Sequence, residues 1–401
     1  MAMLGCVQIC LDAHGYAWVY VNGIFQGDEN GAFLMAKKLA KIVGGIVGAI
    51  TLILIAYVIY VMATYYRLDD RLILDTQTPR DGESVQPYIN CAQPVTLVSA
   101  NVGFGAYGPD FDFFMDGGSG SVAPSAAYVS SNVDGLAQSI KNLDPDVVLF
   151  QEVDMQGTRS CNVNEYELLR DEFASDCSVF IQNYDSPYLA WPLYAPHGKN
   201  QSGLATFSAY EITQTLRRSL PLSESISKFL DLDRCFALSR IPVSNGKELV
   251  VFNVHLSAYG ADAEVLEGQR AMLFEAMQEE YAQGNYVIAG GDFNHDLLGV
   301  SNEVYGNVTD TEASWAKPFA FEEIPDGFIL GVKDQFDQSV FNSAATCRDA
   351  GRPYDGTNDR WVMDGFIYSD NIDCIEQRTL DLDFRHSDHN PVYVTCVLRA
   401  E

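Results

Sequence analysis

The sequence predicts an α/β fold carried behind one membrane-spanning segment. Three observations support this. From Pro94 onward, short apolar runs alternate with stretches of helical period. Polar residues recur at the ends of those apolar runs. One uncharged apolar stretch stands apart near the N-terminus.

That stretch is Ile42 to Ala63, IVGGIVGAITLILIAYVIYVMA. It is long enough to cross a bilayer core of ~30 Å. A buried core helix rarely stays free of charge for so long. A cleaved signal peptide is the closer rival, because Val61-Met62-Ala63 suits a signal peptidase, but its apolar region is usually only about 7–15 residues. The sequence therefore favours an uncleaved anchor over residues 36–66. Lys37, Lys38 and Lys41 precede the run, and Arg67 and Arg71 follow beside Asp69 and Asp70. The lysine excess places the N-terminal side in the cytoplasm and the large C-terminal part outside it. Residues 1–35 read as a short tail without a sustained period, and Met35 would make a more natural start for a membrane-targeting segment.

The 401 residues are 47% hydrophobic and 20% charged, with a net charge of −29. The acids and lysines before residue 67 cancel, so the excess sits in the C-terminal part. That field repels polyanions and offers no basic groove for nonspecific DNA binding, although a divalent metal can supply positive charge locally. No C-x-x-C pair occurs, which argues against zinc. Seven cysteines lie beyond the apolar run, an odd number, so at least one thiol stays unpaired. Cys235, Cys374 and Cys396 fall in apolar runs and read as core residues.

Residues 67–93, with Pro79, Asp81-Gly82 and Pro87, read as a polar linker, and 94–401 as one catalytic domain. Strands are expected at 95–102, 147–151, 203–208, 249–256, 287–289, 363–368 and 392–398, rich in Val, Ile, Leu and Phe. Helices are expected at 133–143, 165–173 and 262–282. The last sets Val265, Met272, Leu273, Ala276 and Met277 near one face and stops at Gly284.

The polar strand ends are more specific. Asn101 closes LVSAN, Glu152 follows VVLFQ, His255 closes VVFNVH, and Asp292 and Asn294 follow VIAGG. Asp364 sits in VMDGFIYS, and Asp388 and His389 stand in HSDHNPVYV. One such residue would be a strand terminus; so many, spread over almost 300 residues, point to one shared site on a sheet edge. VIAGGDFNHD alone reads equally as a turn, because Gly, Asp and Asn are what turns select. In extended chain, Asp292 and Asn294 share a face, as do Val251, Asn253 and His255.

Asn101, Gln151-Glu152, Asn253-Val-His255, Gly291-Asp-Phe-Asn294, Asp364 and Ser387-Asp-His389 occur in the order of the endonuclease/exonuclease/phosphatase superfamily, which the chain resembles over about residues 94–401. The resemblance implies a four-layer α-β-β-α sandwich of two mixed sheets, here preceded by one transmembrane helix. It implies a Mg2+ cofactor, with Mn2+ as a substitute, held by Asn101, Glu152 and Asp388. It makes Asp292 the group that orients or deprotonates water, His255 and His389 an acid/base pair, and Asp364 the orienter of His389. Asn253 and Asn294 would bind phosphate. His255 stands where abasic-site endonucleases generally have tyrosine, which disfavours a repair role.

Hydrolysing a phosphoester needs a hard cation, an oriented water and protons moved on and off oxygen, and these residue types supply all three. Two features stay open at this level. The segment 103–120, GFGAYGPDFDFFMDGGSG, either lines a cleft, inserts toward a membrane, or packs its phenylalanines inward. Arg159, Lys199 and Arg234 either meet phosphate or form ion pairs. The expected function is a membrane-anchored phosphoesterase, with a phospholipid or small phosphodiester favoured over nucleic acid. A nonspecific nuclease and an inactive, membrane-tethered binding module are the alternatives.

Overall fold

A computed structural model describes residues 7–11, 17–21, 29–223, 232–258, 262–309, 315–332 and 344–400. The chain divides into two compact units, 1–60 and 61–401. Near the N-terminus, Val7–Leu11 (β1) pairs antiparallel with Ala17–Val21 (β2), and Glu29–Thr64 (α1) is a continuous helix. The tail thus contains a hairpin, and the helix starts before residue 36. Within α1, Ala36–Thr64 spans 29 residues, and its most apolar stretch has a mean hydropathy of 2.6 with none of that stretch buried. At 1.5 Å per residue the whole span measures about 43 Å, more than a bilayer core requires.

The second unit opens with Leu72–Leu74 (β3), Pro94–Asn101 (β4), Ala126–Lys141 (α2), Val147–Gly157 (β5) and Glu165–Glu172 (α3). Cys177–Asp185 (β6), Asn200–Ser208 (β7), Gln214–Ser219 (β8), Cys235–Pro242 (β9), Glu248–His255 (β10) and Ala263–Tyr281 (α4) follow. Tyr286–Asp292 (β11), Ser301–Tyr305 (α5), Phe328–Leu330 (β12), Cys347–Arg348 (β13) and Arg360–Trp361 (β14) come next. Asp364–Ser369 (β15), Ile372–Thr379 (β16) and Val392–Leu398 (β17) complete it.

Two mixed sheets result, one of six strands ordered β16-β17-β4-β5-β7-β6 and one of seven ordered β12-β15-β11-β10-β9-β8-β3. Each contains one parallel pair, β4 with β5 and β10 with β11. Alternation along these strands assigns their faces. Val95, Leu97, Val147 and Leu149 of one sheet meet Leu249, Val251, Ile288 and Phe366 of the other in a shared core. Val98, Val148 and Phe150 turn outward onto Val129, Val133, Leu136 and Leu169 of α2 and α3. Val250, Phe252 and Val287 turn onto Leu273 and Met277 of α4. The expected four layers are present.

Local chemistry explains the helix starts. Ser125 accepts from the Tyr128 N–H to cap α2, and Asn164 accepts from the Glu167 N–H to cap α3. The α2 start at Ala126 lies before the expected residue 133, because Tyr128, Ser130 and Ser131 hide the first turns from the apolar pattern. The segment 67–93 is not a linker: β3 extends the seven-stranded sheet beside β8, and Ile89 is fully buried in the shared core. Its few apolar residues are scattered among Asp and Pro, which hides them in the sequence. Cys235 and Cys396 are buried in the core as expected, and Cys374 is half-buried beside it.

Candidate active site

Both parallel pairs point the C-terminal ends of their strands to the same edge of the sandwich. β4 ends at Asn101 and β10 at His255, while β11 ends at Asp292. Asp364 opens β15 directly opposite Asp292 in the antiparallel register. His389 bridges Cys347 and precedes β17, which runs against β4. The sandwich thereby gathers groups separated by almost three hundred residues.

One atom lies at the centre. The Asp292 Oδ2 is 3.1 Å from Asn101 Nδ2, 3.6 Å from His255 Nε2 and 3.8 Å from His389 Nε2. The other Asp292 oxygen accepts the Asn294 backbone N–H at 2.8 Å, a local turn that keeps Asn294 at φ 51°. Gly291 makes room: a Cβ there would stand 2.0 Å from the Val254 carbonyl oxygen. The DFN turn is both a turn and the seat of the central carboxylate.

Glu152 interrupts β5. It adopts φ 56°, at an irregularity in the pairing of β5 with β7, so its side chain leaves the alternation and enters the cleft. A non-glycine residue held there stores conformational strain, a cost found mostly at functional sites. Its Oε1 accepts from Asn101 Nδ2 at 3.3 Å and lies 3.9 Å from His255 Nε2.

Electrostatics separate the titrating groups. Burial and the neighbouring Asp364 raise Asp292 to about 6. Burial opposes charge on His389 as well, but Asp364, with Cys347 and Asp292, prevails and holds its pKa well above the usual range. The Asp364 Oδ2 lies 2.7 Å from His389 Nδ1, a charge-assisted hydrogen bond that fixes the ring. His255 is the opposite case. Burial, reinforced by Arg234, His389 and Arg159, lowers its pKa well below the usual value, so it is neutral. Asp388 is half-buried, its pKa raised by burial, and its Oδ1 accepts from the Ser387 hydroxyl at 3.2 Å.

One expectation requires correction. Asn253 is fully buried between the sheets and cannot reach a substrate. Its Oδ1 accepts from Gln151 Nε2 at 2.9 Å, and its Nδ2 donates to the Phe150 and Ala205 carbonyls, so it ties β10 to β5 and β7. Asn101 turns its Oδ1 to the Gly103 N–H at 2.9 Å and its Nδ2 to the two carboxylates. In this arrangement its amide nitrogen lies between the two acids.

A hard cation fits the remaining donors. Glu152, Asp292 and Asp388 present carboxylate oxygens, the chemistry Mg2+ selects. Asp292, Asp364 and His389 also bring three ligand atoms within 4.8 Å of one another. The 2.7 Å hydrogen bond already consumes one atom each of Asp364 and His389.

Among the three scarce cations, Arg159 is buried against Asp154 at 2.7 Å and stacks over Phe104, and Lys199 lies 3.7 Å from Asp185. Arg234 differs: it is 6% exposed, with Nε and Nη1 lacking a partner among the described residues. It adjoins His255 closely enough to depress its pKa. Its sequence neighbourhood, DLDRCF, gave no sign of this isolation. In the 103–120 segment, Phe104, Tyr107 and Phe111 are buried and Phe113 and Phe114 half-buried, while Met115 is exposed.

Residues 98–389 match the model of the Endonuclease/Exonuclease/phosphatase family, and the chain belongs to that family of phosphoester hydrolases. Among curated proteins it is similar to the inositol phosphosphingolipids phospholipase C of Schizosaccharomyces pombe, 25% identical over 219 residues. That match covers 52% of this chain and 47% of the relative, so the chain spans about half of that protein's length. Among solved structures it resembles an endonuclease/exonuclease/phosphatase from Beutenbergia cavernae at 18% identity and a TM-score of 0.52, covering 77% of this chain and 72% of that one. One from Bacteroides vulgatus is 16% identical with a TM-score of 0.47, over 77% of this chain and 100% of that one.

Proposed function

We propose that this chain is a membrane-anchored, Mg2+-dependent phosphoesterase that cleaves a phospholipid or small phosphodiester by in-line attack of water. The surroundings of Asp292 Oδ2, with one amide and two imidazoles within 3.8 Å, carry this reading. Asp292 would orient the attacking water and accept its proton, since its raised pKa makes it a better base than an exposed carboxylate. Asn101 holds that oxygen in place. His389, kept protonated by Asp364, would donate to the phosphate or the leaving oxygen. Neutral His255 would offer Nε2 across the same gap, while Asn294 and Arg234 would meet phosphoryl oxygens. Glu152 and Asp388 would hold the cation. When bound, it neutralises phosphoryl charge and lowers the pKa of water.

The lipid preference draws on three supports: the similarity to a phospholipase C acting on inositol phosphosphingolipids, the helix of spanning length, and the net charge of −29. The lysines before the helix favour a catalytic unit outside the cytoplasm.

The test uses the full chain in lipid–detergent micelles, with Mg2+ or with EDTA. Substrates are inositol phosphosphingolipid and plasmid DNA, and Asp292→Asn is the control for contaminants. Head-group release that needs Mg2+ and falls at least ~10²-fold in the variant is expected. Magnesium-dependent nicking of DNA with intact lipid would replace the lipid reading by a nuclease. Inertness toward both, in a folded protein, would reject both.

A further inference from the structure

Two loops rim the site on the side of Asn101 and Glu152, and they treat their aromatics differently. The loop after β4 buries them. The loop between β6 and β7 displays them, in its residues 186–198 (SPYLAWPLYAPHG). Trp191 is 65% exposed, Leu193 77% and Tyr194 72%, with Tyr188 at 43% and Met115 of the neighbouring loop at 65%. The loop belongs to the catalytic edge, because Asn200 at its end pairs with Gly157, five residues beyond Glu152 on β5.

The display is held in place. Leu189 and Gly198 exchange backbone hydrogen bonds of 2.9 and 3.0 Å. The Tyr194 hydroxyl donates to the Ser119 carbonyl at 2.7 Å, and the Ser121 hydroxyl donates to the Ala195 carbonyl at 2.5 Å. The His197 ring packs near Phe104, Phe113 and Phe114, its Nδ1 2.7 Å from the Ser121 carbonyl. Large apolar side chains fixed in solvent mark a contact surface.

Charge identifies what it contacts. The chain holds 54 acidic and 25 basic residues, yet the stretch between Asp185 and Lys199, which flank the loop 3.7 Å apart, contains none. Burial, then the nearby Arg159, lowers His197 to about 4, so residues 186–198 are uncharged at neutral pH. Protein-binding patches usually carry a polar rim with arginine, whereas Trp, Tyr and Leu without charge match the bilayer interface. The chain's spanning helix would hold lipid at high effective concentration beside its catalytic unit. The surplus negative charge opposes an anionic membrane.

We propose that Trp191, Leu193 and Tyr194, flanked by Tyr188 and Met115, form a lipid-contact surface that seats the catalytic rim on a zwitterionic bilayer. This goes beyond the phosphoesterase reading; it rests on the membrane-anchored part of that reading and not on the hydrolysis.

The test reconstitutes the full chain at one copy per nanodisc in phosphatidylcholine, with and without brominated acyl chains. Subtracting Trp191→Phe from the parent isolates Trp191 from Trp18, Trp315 and Trp361. The expected result is quenching of Trp191 by bromine and protection from acrylamide. The double variant Leu193→Asp, Tyr194→Asp should reverse both while its circular dichroism stays unchanged. Discs rich in phosphatidylserine should show weaker bromine quenching; equal quenching would overturn the zwitterionic preference. Access to acrylamide without bromine quenching would overturn the lipid surface. So would protection from both quenchers, which would assign the loop to another protein surface. The readout involves no turnover, so a failed hydrolysis assay leaves it intact.

Discussion

At Asp292, burial and the nearby Asp364 both oppose ionisation, and in the proposed mechanism the carboxylate must ionise to accept a proton from water. An acid whose native pKa lies near 6, against 3.8 for the free group, weakens the fold wherever it must be charged. The penalty is complete above the native pKa, shrinks as pH falls, and is gone below the unfolded pKa. Asp292→Asn should therefore abolish turnover yet stabilise the metal-free protein at pH 7.5, on the order of 1–3 kcal/mol. Urea unfolding in EDTA would show the gap closing toward pH 4. A variant less stable than the parent at both pH values would remove the premise that this charge is held against its own preference. Bound Mg2+ would offset the same penalty.

At the scale of elements, two parallel strand pairs build the site, and their tightest point is where β11 passes β10. Gly291→Ala would drive a Cβ to 2.0 Å from the Val254 carbonyl oxygen, and backbone cannot yield as a side chain can. We expect a loss of about 1–3 kcal/mol or more, with turnover falling alongside because Asp292 is the next residue. Thermal melting with turnover on the same preparation measures both; an unchanged melting temperature would contradict the close approach. The strand ends bearing Asn101, His255 and Asp292 were legible because period-2 alternation shows where an apolar face stops. Asn253 was not. It obeys the same alternation as His255, but only the opposed sheet reveals that its amide is already spent on β5 and β7. The turned backbone of Glu152 arises from pairing with β7, a long-range event that no local pattern records. Strand β8 escaped detection because it carries a fully buried arginine, Arg217, whose Nε donates to the Gln182 carbonyl.

For the whole molecule, the boundary of the catalytic unit matters more than its composition suggests. Residues 61–401 form one compact unit, and β3 with Ile89 belongs to it. Residues 61–401 should fold, stay monodisperse and hydrolyse a small soluble phosphodiester. Residues 94–401 should melt at a lower temperature and aggregate, because removing β3 bares the β8 edge and empties the Ile89 site. Size-exclusion chromatography and melting curves on the two chains decide this; equal behaviour would return 67–93 to the status of a linker.

The same short strand has a mechanical consequence. Tension applied to the chain from its N-terminal side travels through residues 65–74 before it meets any strand that bears a catalytic group. There it meets a three-residue edge strand on β8, the Asp70 pair with Arg218 and the Tyr65 hydrogen bond to Asp233. These yield before the central ladders do, since an edge strand peels from its neighbour while β4, β5, β10 and β11 are each gripped on two sides. A tug on the N-terminal side, such as the proposed membrane anchor would transmit, would be absorbed in this fringe, leaving the spacing around Asp292 unstretched.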